Sequence, residues 1–166
     1  MYVTARILVT LVAASLLIAC GQPAGPPATT TSTQAMEPAD ASSRDFGDYV
    51  LLFSAIPTDT LTPEIASTYG ITRSANRVLL NISMLKKTEG APDMPVAGTV
   101  KAGAVNLNGQ AKNLSVREIR EGEAIYYVGD VSISGEETLV FSVEAQPAGA
   151  TGAPLSVRFQ RQFYGN

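Results

Sequence analysis

From Phe46 to Phe163 the apolar residues fall at every second position, the spacing of a chain half buried in a β-sheet. The clearest run is 49–56, Tyr-Val-Leu-Leu-Phe-Ser-Ala-Ile, apolar on both faces and closed by Pro57. It predicts a central strand. A second strand is predicted over 77–87, with Val78, Leu80, Ile82 and Met84 on one face and Leu79, Asn81, Ser83 and Leu85 on the other. A third runs over 96–107, weakened by Gly98 and Gly103, and Asn108-Gly109 turns it into a fourth over 112–119. Glu121-Gly122 leads into 124–131, and Ser134-Gly135-Glu136 into a sixth strand around Leu139, Phe141 and Val143. A loop from 147 to 154 precedes the last, through Leu155, Val157, Phe159 and Phe163. Between the first two strands, Thr62-Pro63-Glu64 supplies a capping hydroxyl, a proline suited to the first helical position and an acid for the positive helix end. Gly70 closes that one short helical turn.

About seven short strands separated by turn signals predict an all-β fold, a single immunoglobulin-like β-sandwich. A closed barrel is the alternative arrangement. The Cys…Trp…Cys signature of antibody domains is absent, so the prediction concerns architecture only. A folded unit of about 120 residues buries roughly two-thirds of its unfolded surface, enough to stand alone.

The pattern changes before Phe46. Residues 1–19 have the layout of a secretory signal, with Arg6 ahead of an apolar core over 7–18. About twelve residues at 1.5 Å each reach only about 18 Å, short of the roughly 30 Å hydrocarbon core of a bilayer. Leu17-Ile18-Ala19-Cys20 resembles the bacterial lipobox, and Cys20 is the only cysteine in the chain. The resemblance implies diacylglycerol on the Cys20 thiol, cleavage before it, and further acylation of the freed amine. Two or three acyl chains hold a protein on a membrane essentially permanently. Gly21 rather than aspartate after that cysteine points, by the same resemblance, to the outer membrane. Residues 20–43 then form the lipidated N-terminus and a linker rich in Pro, Thr and Ala, with Pro23, Pro26, Pro27 and the run Thr29-Thr30-Thr31-Ser32-Thr33. It has no apolar periodicity and is expected to be a disordered tether reaching about 75 Å extended and about 25–30 Å as a coil. Residues 44–166 are left as the sandwich domain.

Composition narrows the chemistry. The 166 residues carry a formal net charge of −3, which argues against a nucleic-acid partner. There is no histidine and no tryptophan, and an acylated Cys20 leaves no thiol for a disulfide or a nucleophile. Neither a metal nor another cofactor is expected. Ser83-Met84-Leu85-Lys86 has the S-x-x-K spacing of penicillin-binding enzymes, but on a strand its two ends point to opposite faces, and no S-D-N or K-T-G partner follows. Glu118, Glu121, Glu123, Glu136 and Glu137 sit in or beside turns and read as a solvated rim rather than a glycosidase pair. Met84 lies on an apolar strand face and reads as core. No enzymatic activity is expected. Two groups are candidates for a partner surface: the basic residues Arg73 and Arg77, with Lys86 and Lys87, and the tyrosines Tyr69, Tyr126 and Tyr127, with Tyr164. The opposing readings are edge solubility for the first and strand preference for the second.

Residues 46–164 resemble a bacterial domain-of-unknown-function family, number 4426, of secreted and lipid-anchored proteobacterial proteins. The stretches that carry the resemblance include Leu61-Thr62-Pro63-Glu64, Tyr69-Gly70-Ile71-Thr72-Arg73-Ser74, Asn106-Leu107-Asn108-Gly109-Gln110, Ala124-Ile125-Tyr126-Tyr127 and Phe163-Tyr164. The resemblance implies an envelope protein and hands over no catalytic residue. The expectation is a non-enzymatic cell-envelope lipoprotein, a tethered sandwich that binds or scaffolds an envelope protein or glycan from the periplasmic face of the outer membrane. An accessory subunit or chaperone that adds a strand to a client is the second reading. A periplasmic hydrolase, for which no constellation is found, is the third.

Overall fold

The computed structural model describes residues 34–166. The leader, Cys20 and the Pro/Thr run through residue 33 lie outside the described residues. The strands are β1 (Ser43–Asp45), β2 (Tyr49–Pro57), β3 (Arg77–Lys86), β4 (Met94–Pro95), β5 (Gly98–Asn106), β6 (Ala111–Lys112), β7 (Arg117–Glu121), β8 (Ala124–Ser132), β9 (Glu136–Pro147) and β10 (Leu155–Tyr164). They form two sheets, one ordered β1-β2-β3-β8-β7 with β4 paired to β3, the other β10-β9-β5-β6. Every ladder within the sheets is antiparallel.

The sheets face each other as a β-sandwich, the fold class read from the alternation. The inward set of the first sheet, including Leu51, Phe53, Leu80 and Ile82, meets Leu139, Phe141, Val157 and Phe159 from the second. Phe159 is the hub. Its ring centroid stands 4.7 Å from Phe53 across the interface and 5.1 Å from Phe141 on the neighbouring strand. Tilted and offset ring pairs of this kind add about 0.5–1.5 kcal/mol beyond the area they bury.

The stretch 112–119 differs from its prediction. It is not one strand: β6 pairs with β5 in the second sheet, and β7 pairs with β8 in the first. The chain changes sheets between them, with Leu114 and Val116 packed on the core. The crossing lies so close to β8 that a Cβ on Gly129 would stand 2.6 Å from the Ser115 carbonyl oxygen. The helical turn is as predicted. Helix α1 (Pro63–Thr68) starts with Thr62 Oγ1 accepting the Ile65 N–H at 3.3 Å and ends before Gly70, whose φ of +61° suits glycine.

Pairing also begins ahead of Ser43, inside the stretch read as tether. Met36 bridges Arg158 of β10 in parallel, and the Glu37 N–H donates to the Arg158 carbonyl at 2.7 Å. Arg44 Nη1 donates to Glu37 Oε1 at 2.7 Å, and the Phe53 N–H donates to the Ser42 carbonyl at 2.8 Å. Residues 36–45 therefore run from the edge of one sheet to the edge of the other. Main-chain bonds and the Arg44–Glu37 ion pair, not an apolar period, hold them, so the alternation of apolar residues carries no trace of this pairing.

At the β5–β6 turn Asn106 is 7% exposed and fully engaged. Its Oδ1 accepts from the Gln110 N–H at 2.9 Å, and its Nδ2 donates to Glu137 Oε1 at 2.9 Å. Lys112 Nζ lies 2.5 Å from the same Glu137 oxygen. Burial opposes the Glu137 charge, but Lys112, Asn106 and the Ser134 N–H outweigh it and hold the carboxyl below the glutamate value of 4.5. A lowered folded pKa contributes stability above the unfolded value and loses it as pH falls through the folded one. Glu137→Gln is thus expected to weaken the fold at neutral pH. It should also flatten the fall in urea midpoint as acid is added below 4.5. Parallel acid profiles for the two proteins would show that this cluster does not couple to folding.

Candidate functional site

The outward face of the first sheet is not solvated as the outer face of a plain sandwich would be. Along β2 it carries Leu52, Ser54 and Ile56; along β3, Leu79, Asn81 and Ser83; along β8, Tyr126 and Val128. The pairing register aligns Ser54 with Asn81 and Asn81 with Val128, so these three form a row across the sheet. The segment after β2 folds back over this face. Leu61, Ile65, Tyr69 and Ile71 wall one side, and Ile119 and Glu121 of β7 wall the other, leaving an apolar groove of about 280 Å³. A second hollow of about 280 Å³, lined by Ser42, Leu52, Ser54, Ser83 and Tyr126, continues it along the same face. Ser54, Asn81 and Tyr126 line both hollows.

Local sequence explains the wall. Capping by Thr62 and the Gly70 turn set the short helix α1 so that Ala66 is buried while Ile65 remains 45% exposed beside the groove. Thr58, fully buried, ties the segment down: its hydroxyl donates to the Thr72 carbonyl at 2.9 Å and accepts the Ser74 N–H at 2.9 Å. Arg117 of β7 donates to the Tyr69 carbonyl. The Glu121 carboxylate near the Tyr69 phenol, and then burial, raise its pKa.

Asn81 stands out on the floor. Its Oδ1 is buried, and among the described residues no donor reaches it. A buried acceptor left unpaired costs on the order of 1–3 kcal/mol. Asn81 lines both hollows together with Ser54 and Tyr126, while its Oδ1 is closed off from solvent.

The candidate residues read from the sequence separate into two sets. Tyr69 and Tyr126 come together at the groove. Arg73 and Arg77 do not join them. Arg73 Nη2 donates to the Asp59 carbonyl at 2.9 Å and fastens a loop, and Arg77 Nε donates to Asp130 Oδ2 at 2.6 Å in a cross-strand ion pair. Tyr127 is not on the surface at all. It is 5% exposed and points into the sandwich, where its hydroxyl accepts the Gly98 N–H at 2.8 Å and donates to Glu118 Oε2 at 2.9 Å. Adjacent strand residues point to opposite faces, so Tyr126 and Tyr127 could not share one patch. Ser83 is buried and donates to the Ile125 carbonyl at 2.8 Å. Cys20 lies outside the described residues. Asn81, Ile56, Leu61, Ile65 and Ile119 are the groove residues that sequence reading passed over. The signal for them was the apolar outer face of 49–56.

A family model described as a domain of unknown function, DUF4426, matches residues 43–166. The chain belongs to the DUF4426 family. It is similar to the crystal structure of a DUF4426 protein from Pseudomonas aeruginosa at 27% identity and a TM-score of 0.62, covering 75% of this chain and 94% of that one. Two structures of FetP from uropathogenic Escherichia coli share the fold. A copper-bound variant has 13% identity and a TM-score of 0.53 over 80% of this chain and 97% of that one. The as-isolated protein, expressed in the periplasm, has 14% identity and 0.52 over 80% and 96%. No curated protein sequence matches the chain. Among the described residues of this DUF4426 chain, no three His, Cys, Asp or Glu side chains gather as a metal site, and no helix is long and apolar enough to cross a membrane.

Proposed function

We propose that this DUF4426 protein is a non-enzymatic binding module of the bacterial cell envelope, lipid-anchored through Cys20, that takes its partner in the groove on the outer face of the first sheet. The observation that carries the reading is the groove itself: an apolar trough built on a sheet face that is not the core, walled by a segment pinned at Thr58. Few convergent polar groups in an apolar concavity are what a binding site needs. The lipobox-like leader and the periplasmic expression of a FetP neighbour support the envelope as its place.

The test has two arms. Ile65→Lys changes an exposed wall residue and is expected to leave the melting temperature of residues 34–166 nearly unchanged. It should cut the binding of an environment-sensitive apolar dye by about tenfold, equal dye binding being the result that removes the groove from the account. In cells, Cys20→Ser is expected to move the protein from the membrane fraction to the soluble periplasm or to leave it as a precursor. Unchanged membrane fractionation refutes the anchor.

A further inference from the structure

We infer that the outer face of the second sheet docks on the lipid bilayer, with Leu107 and Tyr164 seated at the level of the headgroups. This rests on the Cys20 anchor proposed above. Leu107 is 69% exposed and Tyr164 68%, more than any other large apolar side chain among the described residues. The two border the same residue: Tyr164 is the cross-strand partner of Glu136, and Leu107 lines a hollow with Glu136 and Thr138. Alternation puts both on the outward face, Tyr164 in step with Gln160 and Gln162, and Leu107 one past the buried Asn106. Beside them the register aligns Val140, Val105 and Ala111 in a row, and Val140 lies outside the core cluster, so this row faces outward too. Apolar residues exposed singly are ordinary on a protein surface, whereas a leucine, a tyrosine and an apolar row on one face make a patch.

The point at which the chain reaches this face selects the occupant. Gln34, the first described residue, lines a hollow with Lys101, Gly103, Ser142 and Glu144 on the same outer face. Residues 21–33 join it to Cys20, a length that spans about 45–50 Å fully drawn out and about 20 Å as a coil. The second sheet is therefore the one that the anchor holds nearest the bilayer, with the groove of the first sheet turned away. A short tether makes docking intramolecular, at an effective concentration in the millimolar range, so a weak apolar contact is enough. Leucine supplies the apolar insertion, and tyrosine an amphipathic ring suited to the headgroup level. The face sets Lys101 and Arg158 against Glu136 and Glu144, so its charges cancel and docking takes no strength from anionic lipid.

The chain from Cys20 onward is coupled through its one thiol to a maleimide lipid in vesicles of phosphatidylethanolamine and phosphatidylglycerol. It has no tryptophan, so Leu107→Trp and Met94→Trp each carry a single reporter, the second at a 61% exposed residue of the first sheet. With doxyl-labelled phosphatidylcholine in the bilayer, the indole of Leu107→Trp is expected to be quenched about threefold more than that of Met94→Trp, and to emit at shorter wavelength. Tyr164→Trp repeats the reading if Leu107→Trp does not fold. The difference should persist in about 0.5 M salt, where exposed charges are screened within about 4 Å. Equal quenching at the two positions, stronger quenching of Met94→Trp, quenching of neither, or loss of the difference in salt overturns the inference. The anchor is installed chemically, so none of these outcomes touches the Cys20 reading, which fractionation of Cys20→Ser decides by itself.

Discussion

Gly98→Ala is expected to destabilise the sandwich by roughly 3 kcal/mol or more, enough to threaten folding in a domain of ordinary stability. Gly98 opens β5 and faces Pro147 at the end of β9. A Cβ there would stand 2.1 Å from the Gln146 carbonyl oxygen and 2.9 Å from Met84 Cε. The first obstacle is backbone and cannot rotate away. Relief requires β5 to move off β9, which also breaks the Gly98 N–H bond to the Tyr127 hydroxyl. Gly103, in the same strand, is the internal control, because nothing lies within 4 Å of its added Cβ. Gly103→Ala is expected to be neutral or stabilising by up to about 1 kcal/mol, since alanine has less chain entropy to lose. Urea titrations of the two variants decide the matter. Equal midpoints would show that β5 is not held where the structure puts it.

The second large effect lies at the hub of the core. Phe159→Ala removes a fully buried ring that touches one partner from each sheet, Phe53 and Phe141. Truncations of buried phenylalanine cost about 3–5 kcal/mol, which corresponds to a fall of roughly 10–20 °C in melting temperature for a domain of this size. Phe159→Leu, which keeps most of the volume, should lose less than half as much. A loss below about 1 kcal/mol for the alanine variant would mean that the two sheets do not interlock through these rings.

What the sequence discloses and what it hides divide along a physical line. Strands β2, β3 and β8 were legible because each buries a side-chain row, and burial writes period two into the chain. The helix start was legible because a cap is a local device: Thr62, Pro63 and Glu64 need nothing beyond themselves. The crossing at 113–116 was not legible. Leu114 and Val116 keep the alternation going on either side of it, and pattern alone says nothing about which sheet a residue serves. The pairing at 36–45 was hidden because main-chain bonds and the Arg44–Glu37 ion pair make it, and neither writes an apolar period into the chain. The groove was half visible. Leu52, Ile56 and Leu79 announced an apolar outer face on two strands, yet the segment that walls it is a tertiary fact. The tyrosines show the same limit: alternation puts Tyr126 and Tyr127 on opposite faces but does not say which face is the core.

The run from Met36 to Asp45 has a consequence for proteolysis. A cut ahead of Gln34 would leave the Met36–Arg158 bridge in place. A cut between Pro38 and Ser43 would part Met36 and Glu37 from the domain and free the Arg158 carbonyl of β10. The cut fragment would then carry one more unpaired main-chain group on that outer strand, a foothold for pairing with another chain.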